Sequence, residues 1–345
     1  MAVCNECGFV FNNTFDLSRL SYGASYDNDQ TCSSTFRTYL DSLVCHLTED
    51  QGVRNCRIVD VGCGNGDFLR RLVTAPGTGN TGVGFDPAYS GPDTDCDGRL
   101  RYERRYYDAE CADTPADVVV CRHVIEHVPR PLELLRTVRE ALAGSPEARV
   151  YFETPDVGWI LRNQVLWDFF YEHCSLFTAE SLTSAFQAAG FQVSQVKHIF
   201  GGQYLWLEAT VGTDNQPISR KPADIPALAD QFADHEKDLL HKWDAALSSL
   251  QRRGKVALWG AGAKGVTFAN LIDPARERLD CVVDLNPHKQ GGYVPGSGHA
   301  IVDFHDLAAR NVKSAILMNP NYLAENAALL REAGIAVDLI GNELP

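Results

Sequence analysis

Short apolar runs alternate with helical periodicity along most of the chain. From Cys56 to about Val211 the runs are "RIVDVG", "GVGFD", "ADVVVC" and "ARVYFET", while "LELLRTVREAL" and "AESLTSAFQAAG" repeat apolar residues at helical spacing. This alternation predicts a parallel sheet flanked by helices. "FQVSQVKHIF" and "QYLWLEATV" follow each other across Gly201 and Gly202, which predicts a closing antiparallel hairpin.

The stretch "GTDNQPISRKPADIPALAD" is polar and carries three prolines, and it reads as a linker into a helix over "FADHEKDLLHKWDAALSSLQRR". A second strand and helix alternation follows: "KVALWG", "AKGVTFANLI", "LDCVVD", "SAILMN", "AENAALLREAG" and "AVDLI". The expected class is α/β with two units. Residues 1–45 form an N-terminal knuckle remnant and lead-in helix, 46–212 the first sheet domain, 213–253 linker and helix, and 254–345 a second Rossmann-like domain.

Composition narrows the function. With 345 residues, 45% of them apolar, the chain can bury two cores. A net charge of −14, from 31 basic and 45 acidic residues, argues against nucleic acid and anionic membranes as partners. No apolar stretch reaches the roughly 20 residues of a bilayer span, and "MAVCNECGFVF" is unlike a signal peptide, so a cytoplasmic protein is expected. Cys4 and Cys7 in "CNEC" have half the spacing of a four-thiolate zinc site, and no second CxxC completes it.

The first glycine turn reads Asp60, Val61, Gly62, Cys63, Gly64, Asn65, Gly66. Its G-x-G-x-G spacing, with an acidic residue two positions ahead, differs from a dinucleotide fingerprint. A carboxylate there would repel a pyrophosphate. It suits S-adenosylmethionine (SAM), whose amino group and sulfonium are cationic. Asp86 and Pro87 end the second strand, where an acid can accept ribose hydroxyls. Asp108 then falls near the adenine edge, and Arg122 and His123 lie where the fourth strand "ADVVVCRHVIEHV" meets the reactive end. The expected fold is a class I SAM methyltransferase sheet.

The second turn, "WGAGAKG", is a true G-x-G-x-x-G with Gly260, Gly262 and Gly265, and Asp284 follows the next strand. Lys264, Lys289, Asn319 and Tyr322 fall near the same edge. A nucleotide part of a substrate is the expected ligand, with a purely structural lobe as the alternative.

The string of a CxxCG knuckle, "VIEHVPRP", "FYEHCSLFT", "GGQY" and "GAGAKG...VVDLNPHKQGGYVPG...NPNY" resembles the C-methyltransferases of deoxysugar biosynthesis over nearly the whole chain. The resemblance implies a nucleotide-linked 4-keto sugar as small-molecule acceptor, methylated on the adjacent carbon. The chain departs from that family in three places. The second CxxC is absent, the central Tyr-His-Glu-His reads Phe170, Tyr171, Glu172, His173, and His-Gly-Gly-Ser reads Phe200, Gly201, Gly202, Gln203.

Carbon methylation needs a base at the C–H and a donor at the enolate oxygen. His173 is the expected base, Glu172 its orienting partner, Tyr171 the donor, and His127 a second candidate facing the methyl donor. Trp167, Gln203 and Tyr204 are expected to contact the acceptor. O- or N-methylation of a natural-product intermediate is a rival within the class. An NAD-dependent oxidoreductase and a non-catalytic nucleotide-binding module are rivals outside it.

Overall fold

The computed structural model describes residues 1–20, 30–111, 113–212 and 224–341. Two compact bodies divide the chain, one from segments within 1–27, 39–163 and 171–230, the other from segments within 28–38, 164–170 and 231–345. Residues 213–223 of the expected linker lie outside the described residues.

The sheet of the first body runs in the order Phe191–Ile199, Tyr204–Val211, Arg149–Pro155, Val118–Arg122, Arg57–Val61, Thr81–Phe85, Leu100–Glu103, Thr94–Asp95. The five strands from Arg149–Pro155 to Leu100–Glu103 are parallel, and the hairpin and the outer edge are antiparallel. Ile58, Val59, Asp60 and Val61 are all buried, as befits a central parallel strand covered on both faces. Helix Asp67–Thr74 buries Phe68, Leu69, Leu72 and Val73. Each such side chain contributes about 1.5–3 kcal/mol when fully buried.

Three features differ from the sequence reading. The fourth strand stops at Arg122, because His123 adopts φ +54° and the chain turns into the 3-10 segment Ile125–His127. Leu100–Glu103 is a strand whose alternation is carried by only two buried residues, Leu100 and Tyr102, among arginines. Ala2–Val3, Val10–Phe11 and Ser175–Leu176 form a small antiparallel sheet. In the expected hairpin, Phe200, Gly201 and Gly202 all take positive φ and close the turn between Ile199 and Tyr204.

Helix Ile225–Gln251 starts inside the expected linker. Pro226 fits its first turn, where an amide hydrogen is not needed by the helix. The second body has a five-stranded, all-parallel sheet in the order Ile301–Val302, Leu279–Val283, Lys255–Trp259, Val312–Leu317, Asp338–Ile340. Strand order therefore reverses beside Lys255–Trp259, the topology of a doubly wound nucleotide-type fold. Among the described residues no helix is long and apolar enough to cross a membrane.

Candidate active site

In the first body strand order reverses between Arg57–Val61 and Val118–Arg122. Ligands of open α/β sheets bind outside the carboxyl ends of strands at such a point. The turn Gly62–Gly66 leaves one of these ends and Arg122 and His123 leave the other.

The three glycines of this turn differ in their reasons. A Cβ on Gly62 would lie 2.1 Å from Val124 Cγ2, and one on Gly66 2.6 Å from the Tyr102 ring. Gly64, at φ +55°, would meet nothing within 4 Å, so its face is the open one. Its amide donates to Asp86 Oδ2 at 2.9 Å, and Ala88 N, just past Pro87, donates to Asp86 Oδ1 at 2.7 Å. Cys63 is buried, its sulfur packed where Gly84 leaves room, and burial pushes its thiol pKa up. Asp60 is 2% exposed. Burial raises its pKa to about 7, with the Asp86 charge adding to the rise and Arg122 opposing it.

Beside Asp60 lies a buried network that the sequence did not reveal. Glu153 accepts from Tyr39 Oη at 2.5 Å and Arg122 Nε at 2.6 Å, and its Oε1 lies 2.9 Å from His123 Nε2. Burial alone would raise the Glu153 pKa, but the charges of Arg122 and His123 hold it at about 2. Burial likewise works against the His123 charge, yet Glu153 and Glu126 raise its pKa to about 9. These two carboxylates favour the charged form of His123. Tyr204 meets the His123 ring edge-on at 4.5 Å and stacks on Phe200 at 5.1 Å. Arg122 Nη2 is buried without a hydrogen-bond partner.

Glu126, His127 and His173 come together from separate segments, with one ligand atom of each within 4.8 Å of the others. The two rings are nearly perpendicular, with centroids 4.7 Å apart. Glu126 Oε2 accepts from Thr154 Oγ1 at 3.1 Å. Burial would raise the Glu126 pKa, but the His123 contact and the charges of His127 and His173 hold it below the usual range.

Several expected roles need correction. Glu126, which was not among the expected partners, has a carboxylate oxygen within 4.8 Å of His173. Tyr171 accepts from Asp16 N at 2.9 Å and donates to Thr14 O at 3.4 Å, so its hydroxyl pins the N-terminal segment rather than waiting for an enolate. Asp108 is exposed and bound to Arg105 and the amide of Glu110. Trp167 packs edge-on against Trp243 and Phe268 at 5.5 and 5.1 Å in the second body. Gln203 is buried in the hairpin turn, its carbonyl accepting from Asp156 N at 2.9 Å.

The second body repeats the device of the first. Asp284 Oδ2 accepts from Ala261 N at 2.7 Å, between Gly260 and Gly262, and its Oδ1 accepts from Asn286 N at 2.8 Å. A Cβ on Gly265 would lie 1.8 Å from Gly260 O, so the third glycine serves the approach of helix Ala263–Ile272 to its strand. Lys264 pairs with buried Asp168 at 2.7 Å. Lys289 is half-buried in the loop after Asp284, Asn319 accepts from Asn321 N at 3.0 Å, and the Tyr322 hydroxyl donates to Gln30 at 3.1 Å. Cys4 and Cys7 share a tight turn, and among the described residues no third ligand joins them, so the pair alone does not fit a structural zinc ion.

Glu126, Glu153 and Tyr39 were missed. Glu126 was visible only as the neighbour of His127 in "VIEHV", Glu153 as an acid inside an apolar strand, and Tyr39 carried no signal.

The chain is similar in sequence to known methyltransferases. Residues 36–196 match a methyltransferase domain and residues 221–335 the C-methyltransferase C-terminal domain. The chain thus carries a methyltransferase domain followed by the C-terminal domain found in C-methyltransferases. It is 26% identical over 238 residues to the C-methyltransferase NovU of Streptomyces niveus, covering 61% of this chain and 55% of NovU. It is 30% identical over 118 residues to the mitochondrial ubiquinone biosynthesis O-methyltransferase of Schizosaccharomyces pombe, covering 31% of this chain and 42% of that protein. The chain thus spans about half the length of the curated relatives it matches. A solved O-methyltransferase family protein from Burkholderia thailandensis aligns with TM-score 0.42 and 16% identity, over 57% of this chain and 65% of that one.

Proposed function

We propose that this protein moves the methyl group of SAM onto the carbon beside the ketone of a small nucleotide-linked deoxysugar, as a step of cytoplasmic natural-product biosynthesis. Such a carbon becomes a nucleophile only after losing a proton, and the enolate oxygen then needs stabilisation. The observation that carries the reading is the group of buried Glu126 and His173 with half-buried His127, which can manage both the proton and the oxygen charge. The C-methyltransferase C-terminal domain over residues 221–335 favours carbon over oxygen or nitrogen.

In this reading Asp60 faces the methionyl ammonium, Arg122 the methionyl carboxylate, Gly64 lets the cofactor approach the backbone, and Asp86 takes the ribose hydroxyls. Gly260, Gly262, Asp284, Lys289, Asn319 and Tyr322 receive the nucleotide. The transfer itself is an in-line displacement: the carbon–methyl bond forms as the sulfur–methyl bond breaks, S-adenosylhomocysteine leaves, and alignment supplies much of the rate. The test is calorimetry with SAM and with NAD, followed by incubation with labelled SAM and a panel of nucleotide-linked keto sugars. SAM binding and label in a sugar product are expected; NAD binding without SAM binding would overturn the reading.

A further inference from the structure

We propose that Arg162 and His198 bind the diphosphate group of a nucleotide-linked acceptor. The proposal rests on the reading of the first body as a methyltransferase for such an acceptor, and it names the side chains that hold the anion.

Asp156 caps helix Val157–Arg162, and Asp156, Trp159 and Arg162 follow one another at three-residue spacing along one face. A Cβ on Gly158 would lie 3.0 Å from Arg162 Nη1 and 3.1 Å from Asp156 Oδ1, so the missing side chain leaves room for the guanidinium to fold back beside the carboxylate. Arg162 is exposed and forms no hydrogen bond or ion pair with the described residues. From strand Phe191–Ile199, His198 Nε2 reaches Asp156 Oδ2 at 3.0 Å. Asp156 is 2% exposed and the His198 side chain 52%. The second carboxylate oxygen accepts from Gly158 N at 2.8 Å. Burial pushes the Asp156 pKa up, and the Gly158 amide with the charges of His198 and Arg162 oppose the rise. One buried acid is therefore occupied at both oxygens and orients an exposed imidazole. The imidazolium donates from both ring nitrogens, to Asp156 from one and to a phosphate oxygen from the other, while the guanidinium offers a planar fork of donors.

Strand register places this pair beside the chemistry. Thr154 pairs with Leu205 and Leu205 with His198, so the three share a row on one face, and Thr154 holds Glu126. His198 thus lies two strand spacings, roughly 10 Å, from the strand that positions the activating group. A sugar ring and its attached phosphates span such a distance. Lys197 faces the other way, toward Glu208 at 3.7 Å, as strand alternation requires. Two cation-forming side chains gathered at one sheet edge of a chain with net charge −14 suit an anionic ligand.

The test is calorimetry of the full chain with a panel of nucleoside diphosphates and the matching nucleosides. Arg162→Ala and His198→Ala should each weaken diphosphate binding about tenfold or more, leave nucleoside and SAM binding unchanged, and Arg162→Lys should recover part of the loss. With the nucleotide-linked keto sugar, both variants should raise the acceptor KM by a similar factor with a far smaller change in kcat. Circular dichroism checks each fold. No diphosphate binding by the natural protein, or unchanged diphosphate affinity in folded Arg162→Ala, would overturn the proposal. Methyl transfer to the nucleotide-linked sugar at unchanged KM in both variants removes this anion site alone. Diphosphate binding that depends on Arg162, without methyl transfer to any nucleotide-linked sugar, supports the anion site and removes the proposed function.

Discussion

The amide of Gly64 donates to Asp86 Oδ2 at 2.9 Å, which ties the open face of the first glycine turn to the end of the neighbouring strand. Asp86 thereby sets the position of the turn as well as offering its charge to a ribose. Asp86→Ala removes both acceptors and is expected to weaken SAM binding at least tenfold and to destabilise the fold by about 1–3 kcal/mol. Calorimetry and urea unfolding check the two effects, and Asp86→Asn should recover part of the stability but little of the affinity.

Asp60 gives SAM binding a pH dependence. Its pKa in the free protein is raised to about 7, so below that pH the side chain is neutral and its attraction for a cationic ligand is lost. SAM affinity should fall towards tenfold per unit as pH drops below 7, and binding at pH 7 should release a proton to the buffer. The same shift makes the free protein less stable as pH rises from the ordinary aspartate range through 7, because the folded state holds the proton more tightly. Asp60→Asn should bind weakly with a flat profile. A flat profile in the natural protein would contradict the assignment.

Glu153 is the hub for Tyr39, Arg122 and His123, and its loss leaves half-buried Arg122 without its counter-charge and His123 with Glu126 alone. Glu153→Gln is expected to cost about 3–5 kcal/mol, and Tyr39→Phe about 0.5–3 kcal/mol. Chemical denaturation distinguishes the hub from a simple hydrogen bond. Equal costs for the two variants would contradict it.

In the second body Lys264 and Asp168 form a buried ion pair in which Asp168 Oδ1 has no hydrogen-bond partner. Lys264→Ala is expected to destabilise by about 3–5 kcal/mol because a buried carboxylate is left alone. The double variant Lys264→Met, Asp168→Leu should regain most of that stability. A lysine serving only a ligand would show no such coupling in thermal or urea unfolding.

Most of the sheets could be read in advance because parallel central strands are continuous apolar runs, such as Arg57–Val61 and Val118–Arg122, with turn residues between them. Leu100–Glu103 escaped because it is short and buries only Leu100 and Tyr102, its alternate positions being an exposed arginine and a half-buried glutamate. The glycine turns and their acids were legible because a close backbone approach restricts residue type. Partners were not: Glu126 and His173 lie far apart in sequence, so their approach carries no signal in the order of the chain. The Tyr171 hydroxyl was assigned to chemistry because nothing in its neighbours indicates that Asp16 and Thr14 return to it. The pairing of Lys264 with Asp168 likewise joins residues far apart in the chain and carries no signal in either segment.

The central claim is that the Glu126–His127–His173 group activates a carbon for methylation. Its most direct test is NMR of the product formed from ¹³C-methyl SAM and a nucleotide-linked 4-keto sugar. The expected result is a new methyl bonded to the carbon beside the ketone, abolished in His173→Asn while SAM affinity stays within about threefold of the natural protein. A methyl on oxygen or nitrogen, or undiminished transfer by folded His173→Asn, would contradict the account.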